Sequence, residues 1–197
     1  MKTSVILSNI TWNTPQFFKR AAEELVKAGI LDWVHAVPHK AESDEKKEHI
    51  HFILKPSKAI DTAWLQMRFT EIPPGEFLPR KPTSDWRKTK NFTDWLLYSL
   101  HDKDYLASKL EKREFSYTLD DCITTDISSL ENSYREAKLS GLGPVSKIRR
   151  AYELGYKREE FFLSGAIPLS LIGAANTLWD MLESRESCQR NGHDGHE

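Results

Sequence analysis

Cysteine is scarce in this chain: Cys122 and Cys188 are the only two in 197 residues, far apart and in no Cys-x-x-Cys arrangement. That excludes a disulfide framework and a thiolate zinc site. Long hydrophobic runs are lacking too. No apolar stretch approaches the ~20 residues needed to cross a bilayer. The apolar part of Met1-Lys2-Thr3-Ser4-Val5-Ile6-Leu7 is too short for a signal peptide, so a cytoplasmic protein with no membrane partner is expected. Charge of one sign is missing as well, since 28 Lys and Arg stand against 29 Asp and Glu for a formal net charge of -1. Bulk cationic attraction to nucleic acid is thereby disfavoured, and phosphate binding has to be local. Helicase-like phosphate loops and internal repeats are absent.

With 39% apolar and 29% charged residues, the chain has the composition of a globular protein of one domain, or of a catalytic domain with a small appendage. Thr3 to Ser8 reads as a strand, and Asn13-Thr14-Pro15 opens a helix to about Lys27, stopped by Gly29. Leu31 to Val37 alternates as a second strand, and His49 to Leu54 as a third. Ser57 is read as the cap of a helix to Phe69 with Ile60, Ala63, Trp64 and Met67 inward. Four prolines and a glycine exclude regular structure from Ile72 to Pro82. A helix over Thr93 to Leu100 and a strand over Phe115 to Leu119 complete a βαββα(β) order, which predicts an α+β fold with helices on one face of an antiparallel sheet. Helices are expected over Ser129 to Leu139, Pro144 to Leu154, Glu159 to Leu163 and Leu169 to Glu183. The last has an apolar stripe, Leu171, Ile172, Ala175, Leu178, Trp179 and Leu182, suited to covering the first domain or joining subunits. The domains are thus 1–125, a helical module over 126–185, and a polar tail over 186–197 expected to be disordered, with His193 and His196 binding nothing.

The segment Glu48-His49-Ile50-His51-Phe52-Ile53-Leu54 carries the chemistry. Successive strand residues face opposite sides, so His49 and His51 share a face with Cα atoms roughly 6.5 Å apart. An antiparallel pair across the polar loop Lys40 to Glu48 brings His39 near His49. Three neutral imidazoles suit zinc, manganese, cobalt or nickel, and a carboxylate from Glu42 or Asp44 tilts the choice toward manganese or magnesium. An open position makes such an ion a Lewis acid on a phosphoryl oxygen. Downstream, Tyr98 and His101 are placed on one helical face at i and i+3. A phenol needs a proton acceptor or an activated electrophile to act as a nucleophile, and Tyr105 is a competing phenol in a more charged setting.

These pieces, Pro38-His39-Lys40-Ala41-Glu42, His49-Ile50-His51 and Tyr98-Ser99-Leu100-His101, resemble in type and order the HUH endonucleases, specifically the single-tyrosine initiators of rolling-circle plasmid replication. The resemblance covers about residues 1 to 120. It departs at His39-Lys40-Ala41-Glu42, where related proteins commonly have aspartates, which leaves the fourth ligand open among Glu42, Asp44 and water. The resemblance implies origin nicking by Tyr98, with a 5′-phosphotyrosine link and a free 3′-hydroxyl. His101 would orient the phosphate or accept a proton. The metal, Mn2+ or Mg2+, would sit on His39, Glu42, His49 and His51. The implied partners are single-stranded or hairpin origin DNA, host helicase and polymerase, and a second copy of the chain through the helical module.

Other readings remain in play at this level. A transposase or relaxase uses the same chemistry. A non-catalytic DNA-binding regulator or assembly factor could use Pro144 to Leu163 as a helix-turn-helix, with Lys147, Arg149 and Arg150 on phosphates. The basic segment Arg80 to Lys90 reads as a phosphate-gripping loop whose Trp86 stacks on a base, or as a solvated connector. A histidine-triad hydrolase is excluded because position 53 is Ile53.

Overall fold

A computed structural model describes residues 6–42, 48–70, 86–89 and 91–191. Asp44, the Ile72 to Pro82 segment and the tail histidines His193 and His196 lie outside the described residues. The chain divides into two compact units, residues 1–134 and 135–197, each considered by itself.

The first unit is an α+β fold. Among the described residues its antiparallel sheet has the order β4-β1-β3-β2-β5. The strands are β1 (Leu7–Thr11), β2 (Leu31–His39), β3 (His49–Pro56), β4 (Arg87–Lys88) and β5 (Ile123–Thr124). The histidine strand β3 lies in the middle, flanked by β1 with Leu7 opposite Leu54 and by β2 with His39 opposite His49. Of the expected strand over Thr3 to Ser8, Thr3 to Val5 lie outside the described residues, and β1 runs on past Ser8 to Thr11 with polar Asn9 and Thr11 buried in it. Thr11 Oγ1 and Asn13 Nδ2 donate to the carbonyl of Phe69 at 3.3 and 3.1 Å, satisfying the end of a helix in place of water.

Alternation sorts the sheet into two faces. Val34, Ala36, Ile50, Phe52 and Leu54 join Leu7 beneath α1 (Pro15–Lys27) and α2 (Thr62–Thr70), where the rings of Phe18, Phe52 and Phe69 form a triangle with separations of 4.8 to 5.2 Å. Burying such a side chain contributes on the order of 2–3 kcal/mol. The opposite face is covered as well: Val37 packs with Leu96 and Leu100 of α3 (Phe92–Ser99) and its C-terminal turn, and with Leu130 of α5 (Ile127–Leu139). Helices thus lie on both faces, which corrects the one-face expectation, and the histidines belong to the second.

The helix α2 starts at Thr62 because Asp61 caps it, accepting from Ala63 N at 2.9 Å, while the Ser57 N–H bonds back to Ile30 O at 3.1 Å. Its buried residues are Leu65 and Phe69, whereas Met67 is 62% exposed. The later start shifts the inward phase from the expected one. No strand forms over Phe115 to Leu119. Its backbone groups are used against the end of α3, with Tyr117 N donating to Leu100 O at 2.9 Å, and Thr118 and Asp121 close a short 3₁₀ turn. Of the basic segment Arg80 to Lys90 only Trp86 to Thr89 are described, and there the partly buried Trp86 ring packs edge-on against Phe52 at 5.5 Å beside the short edge strand β4. A six-residue helix, α4 (Lys103–Ser108), follows α3.

In the second unit, α6 (Pro144–Glu153), α7 (Arg158–Leu163) and α8 (Ile172–Asn191) enclose Ile148, Ala151, Phe161, Ala175 and Trp179. The stripe of the last helix is used inside its own unit, with Trp179 5.7 Å from Phe161 and 5.6 Å from Tyr152. This helix runs to Asn191, past the expected end of order at Glu186. Adding polar but helix-compatible residues to an existing helix needs no new nucleus. No helix among the described residues is long and apolar enough to cross a membrane.

His35 offers a test of burial on the histidine face. It is fully buried, its Nδ1 is 2.7 Å from Thr124 Oγ1, and its ring lies 4.6 and 5.6 Å from those of Trp33 and Phe92, which are 5.5 Å from each other, so the three rings form one triangular cluster. Burial pushes its pKa down to about 4, against a smaller opposing effect of Asp126. As pH falls, the unfolded chain takes up this proton first. The stability is therefore fully present above about pH 6.5 and declines toward pH 4, by about 3 kcal/mol for this group. Urea unfolding from pH 7 to pH 4.5 is expected to show that loss, and H35L to flatten the slope by about 1.4 kcal/mol per pH unit. An unchanged slope in H35L would place the sensitivity elsewhere.

Candidate functional site

Strand register builds the site. His39 and His49 are directly opposite on β2 and β3, and His51 is two residues along β3 on the same face. One ligand nitrogen from each of His39, His49 and His51 lies within 4.8 Å of the other two. The His49 and His51 Nε2 atoms are 3.1 Å apart. Two imidazole nitrogens on a tetrahedral zinc-like ion stand about 3.3 Å apart, given bonds of about 2.0–2.1 Å, so the pair is spaced as metal ligands are. His39 Nε2 donates to the carbonyl of Ser99 at 2.7 Å. That bond fixes the tautomer and leaves Nδ1 as the nitrogen with a free lone pair, the outer-shell arrangement typical of metal-bound histidine.

The environment keeps the His39 and His51 rings neutral. Burial pushes His39 down to about 4, helped by His101 and His49 and opposed by the Ser99 bond and Glu42. His51 is held well below the ordinary imidazole range, first by burial and then by His39, His49, His101 and Arg113. A neutral imidazole is the ligand form, so protons compete little with a cation at pH 7. The donor set fits a divalent ion.

The tyrosine is on the same side of the sheet. The Tyr98 ring sits 6.1 Å from that of His51, nearly perpendicular to it, because Leu96 and Leu100 anchor α3 on the sheet side. Its hydroxyl accepts from Arg113 Nη2 at 2.8 Å, and the guanidinium also stands 5.7 Å from the ring centre. Tyr105 is the poorer candidate: burial first, then Asp94 and Glu111, push its phenol up.

His101 comes to the site by a different route than helical spacing. It follows the last turn of α3 with φ 51°, its N–H bonded to Tyr98 O and the next N–H, that of Asp102, to Leu97 O at 2.9 Å. This is a Schellman turn with histidine where glycine is usual, at a cost of about 1 kcal/mol. Its Nδ1 donates to Phe115 O at 2.8 Å, and its ring is 4.4 Å from that of His39. Burial chiefly lowers its pKa, so it too is neutral, with Nε2 available as an acceptor.

Glu42 is close to the cluster but outside the set of three. Its carboxylate faces Arg113 Nη1 at 3.6 Å and His101 Nδ1 at 3.9 Å. Arg113 and Tyr117 also contact the cluster, although nothing in their sequence surroundings marks them. The Tyr117 ring stacks flat on His39 at 4.7 Å, and its hydroxyl accepts from Lys40 N at 2.9 Å. Arg113 sat in a run, Glu111-Lys112-Arg113-Glu114, that reads as solvated charge; its 17% side-chain exposure comes from tertiary packing. The chain matches no protein-family model and no curated protein.

Calorimetric titration with Zn2+ or Mn2+ is expected to show one equivalent bound per chain, with a rise in Tm. H51A should weaken binding by about a hundredfold or more. Multiple weak equivalents unaffected by H51A would remove the site. H101G should leave unfolding stability within about 1 kcal/mol, since glycine relieves the backbone cost while the Phe115 bond is lost.

Proposed function

We propose that the protein is a metal-assisted, single-strand DNA-nicking enzyme that initiates rolling-circle replication of a plasmid or phage, in the manner of the HUH initiators its motifs resemble. The observation that carries this reading is one phenol, Tyr98, 6.1 Å from the nearest imidazole of a three-histidine cluster, on the same sheet face. His39, His49 and His51 would hold the ion. With Glu42 turned to Arg113, the imidazole-rich set suits Mn2+ better than Mg2+, which prefers oxygen ligands. A bound divalent ion supplies Lewis-acid polarisation of the scissile phosphate.

The protein's own groups account for the rest. Tyr98 Oη attacks phosphorus, forming a phosphotyrosine ester as the bond to the 3′-oxygen breaks. The phenolic proton passes to His101 Nε2, an imidazole outside the metal set whose tautomer is fixed by Phe115. The departing 3′-oxygen takes up a proton from solvent water and becomes the primer terminus. Arg113 holds Tyr98 Oη in place and is aimed at charge that builds on the phosphoryl group. Reversal of the same exchange reseals a strand.

Incubation with a random-sequence single-stranded DNA library and Mn2+, followed by a denaturing gel, is expected to give a protein band shifted by covalent DNA. Chelator should abolish it, and Y98F should reduce it by about a thousandfold or more while the circular dichroism spectrum is unchanged. H49A should depress adduct formation far more than DNA retention, because phosphate and base contacts position the strand independently of the ion. A full-strength adduct in Y98F would sink the assignment of the nucleophile. Retention of DNA with no adduct under any metal would favour the non-catalytic DNA-binding reading.

A further inference from the structure

Beside the histidine cluster a cleft of about 620 Å³ opens between α4 and the segment that follows it. It shares two walls with the site, His101 and Arg113, and its apolar lining includes Leu106, Leu110 and Phe115. Lys103 and Lys112 also line it, as do the carboxylates Glu111 and Glu114. Arg113 reaches it from the Tyr98 side; its Nη2 donates to Glu111 at 3.0 Å as well as to Tyr98, while its Nε is buried with no hydrogen-bond partner among the described residues. A guanidinium with a spare buried donor, at the junction of a phosphate-chemistry site and an apolar slot, suits a ligand with a phosphate at one end and a flat apolar body at the other.

A second observation is independent of the volume. The helix α4 ends as α3 does, in a Schellman turn: Leu110 N bonds to Ala107 O at 3.1 Å and Glu111 N to Leu106 O at 3.0 Å. The left-handed position is Leu110, at φ 57° and 96% exposed. Neither backbone preference nor burial favours a leucine there, since the turn asks for glycine and the side chain stands in water. Two successive helix ends thus hold non-glycine residues in the left-handed region, His101 and Leu110, and both line this one cleft. Unfavourable conformations held together in this way point to a task at the cleft.

We infer that this cleft receives an unstacked nucleobase of single-stranded DNA adjacent to the scissile phosphate. Phe115 is its stacking surface, Arg113 spans from the base pocket to the phosphate, and Leu110 is the apolar wedge that parts the base from its neighbour. This rests on the strand-nicking reading for the position of the phosphate. Side-chain wedges and aromatic platforms are the general means by which proteins hold bases out of the stack, and the Lys103 and Lys112 ammonium groups suit the flanking backbone.

The test is photocrosslinking of the full chain to oligothymidylate carrying 5-iodouracil in place of thymine, with the crosslinked peptide identified by mass spectrometry. The expected crosslink is at Phe115. A107W, which fills the cleft from an exposed position, should lower its yield at least about fivefold and leave metal stoichiometry unchanged. Crosslinks lying only outside residues 101–116, with equal yield in A107W, would overturn the cleft assignment and leave the nicking reading standing, provided the tyrosyl-DNA adduct forms. Competition by free thymidine monophosphate as strong as by the oligomer would make the occupant a small nucleotide and overturn the proposal. No retention of the oligomer by the wild-type chain would overturn the cleft, and the separate Tyr98 adduct assay would then decide the enzyme reading on its own.

Discussion

The pairing of β2 with β3 in one register is the constraint on which the rest of the molecule depends. His39 stands opposite His49 because Val34 and Ala36 on one strand, and Ile50, Phe52 and Leu54 on the other, must all reach the core beneath α1 and α2. Strand side chains alternate with a period of two, so a slip of one residue in β3 would carry His49 and His51 into that core and expose the apolar set. Each buried apolar side chain contributes on the order of 2 kcal/mol. The apolar face therefore holds the imidazole face in place without help from the imidazoles, and the three ring nitrogens are gathered before any cation arrives.

Burial of the second face does more than complete a layer. Covering the sheet with α3 and the segment after it lowers the pKa values of His39, His51 and His101, so the lone pairs stay available. It also turns backbone carbonyls into tautomer clamps: Ser99 O acts on His39, and Phe115 O acts on His101. These carbonyls belong to the end of α3 and to the segment expected as a strand. That segment is irregular because its polar groups serve the site rather than a ladder. The same packing carries Arg113 onto Tyr98 Oη, linking the phenol to Glu42 through one guanidinium.

Much of this was legible in the residues, for reasons that differ by element. The His-x-His strand and the opposing His39 could be read because period-two alternation and antiparallel hairpin geometry are local rules. The capped start of α1 was legible from Thr14-Pro15, which forms as expected with Thr14 accepting from Phe17 N. The inward face of α2 was not, since its phase depends on whether Ser57 or Asp61 starts the helix, and Ser57 is drawn to Ile30. Helical spacing puts Tyr98 and His101 on one face. They do end near one another, at a ring separation of 6.5 Å, but through a left-handed turn rather than helical spacing.

The amino-acid sequence by itself determined which side chains share a strand face, because alternation is a property of the backbone and needs no partner. It thereby determined that His49 and His51 point the same way and that His39 is their natural companion. Only the tertiary structure decided that Glu42 turns to Arg113, that Trp86 anchors the core, and that Tyr117 lies flat on His39. Those contacts join segments dozens of residues apart, and a charged or aromatic side chain carries no local mark of the partner it will meet. They are settled by which surfaces remain once the apolar face of the sheet is buried.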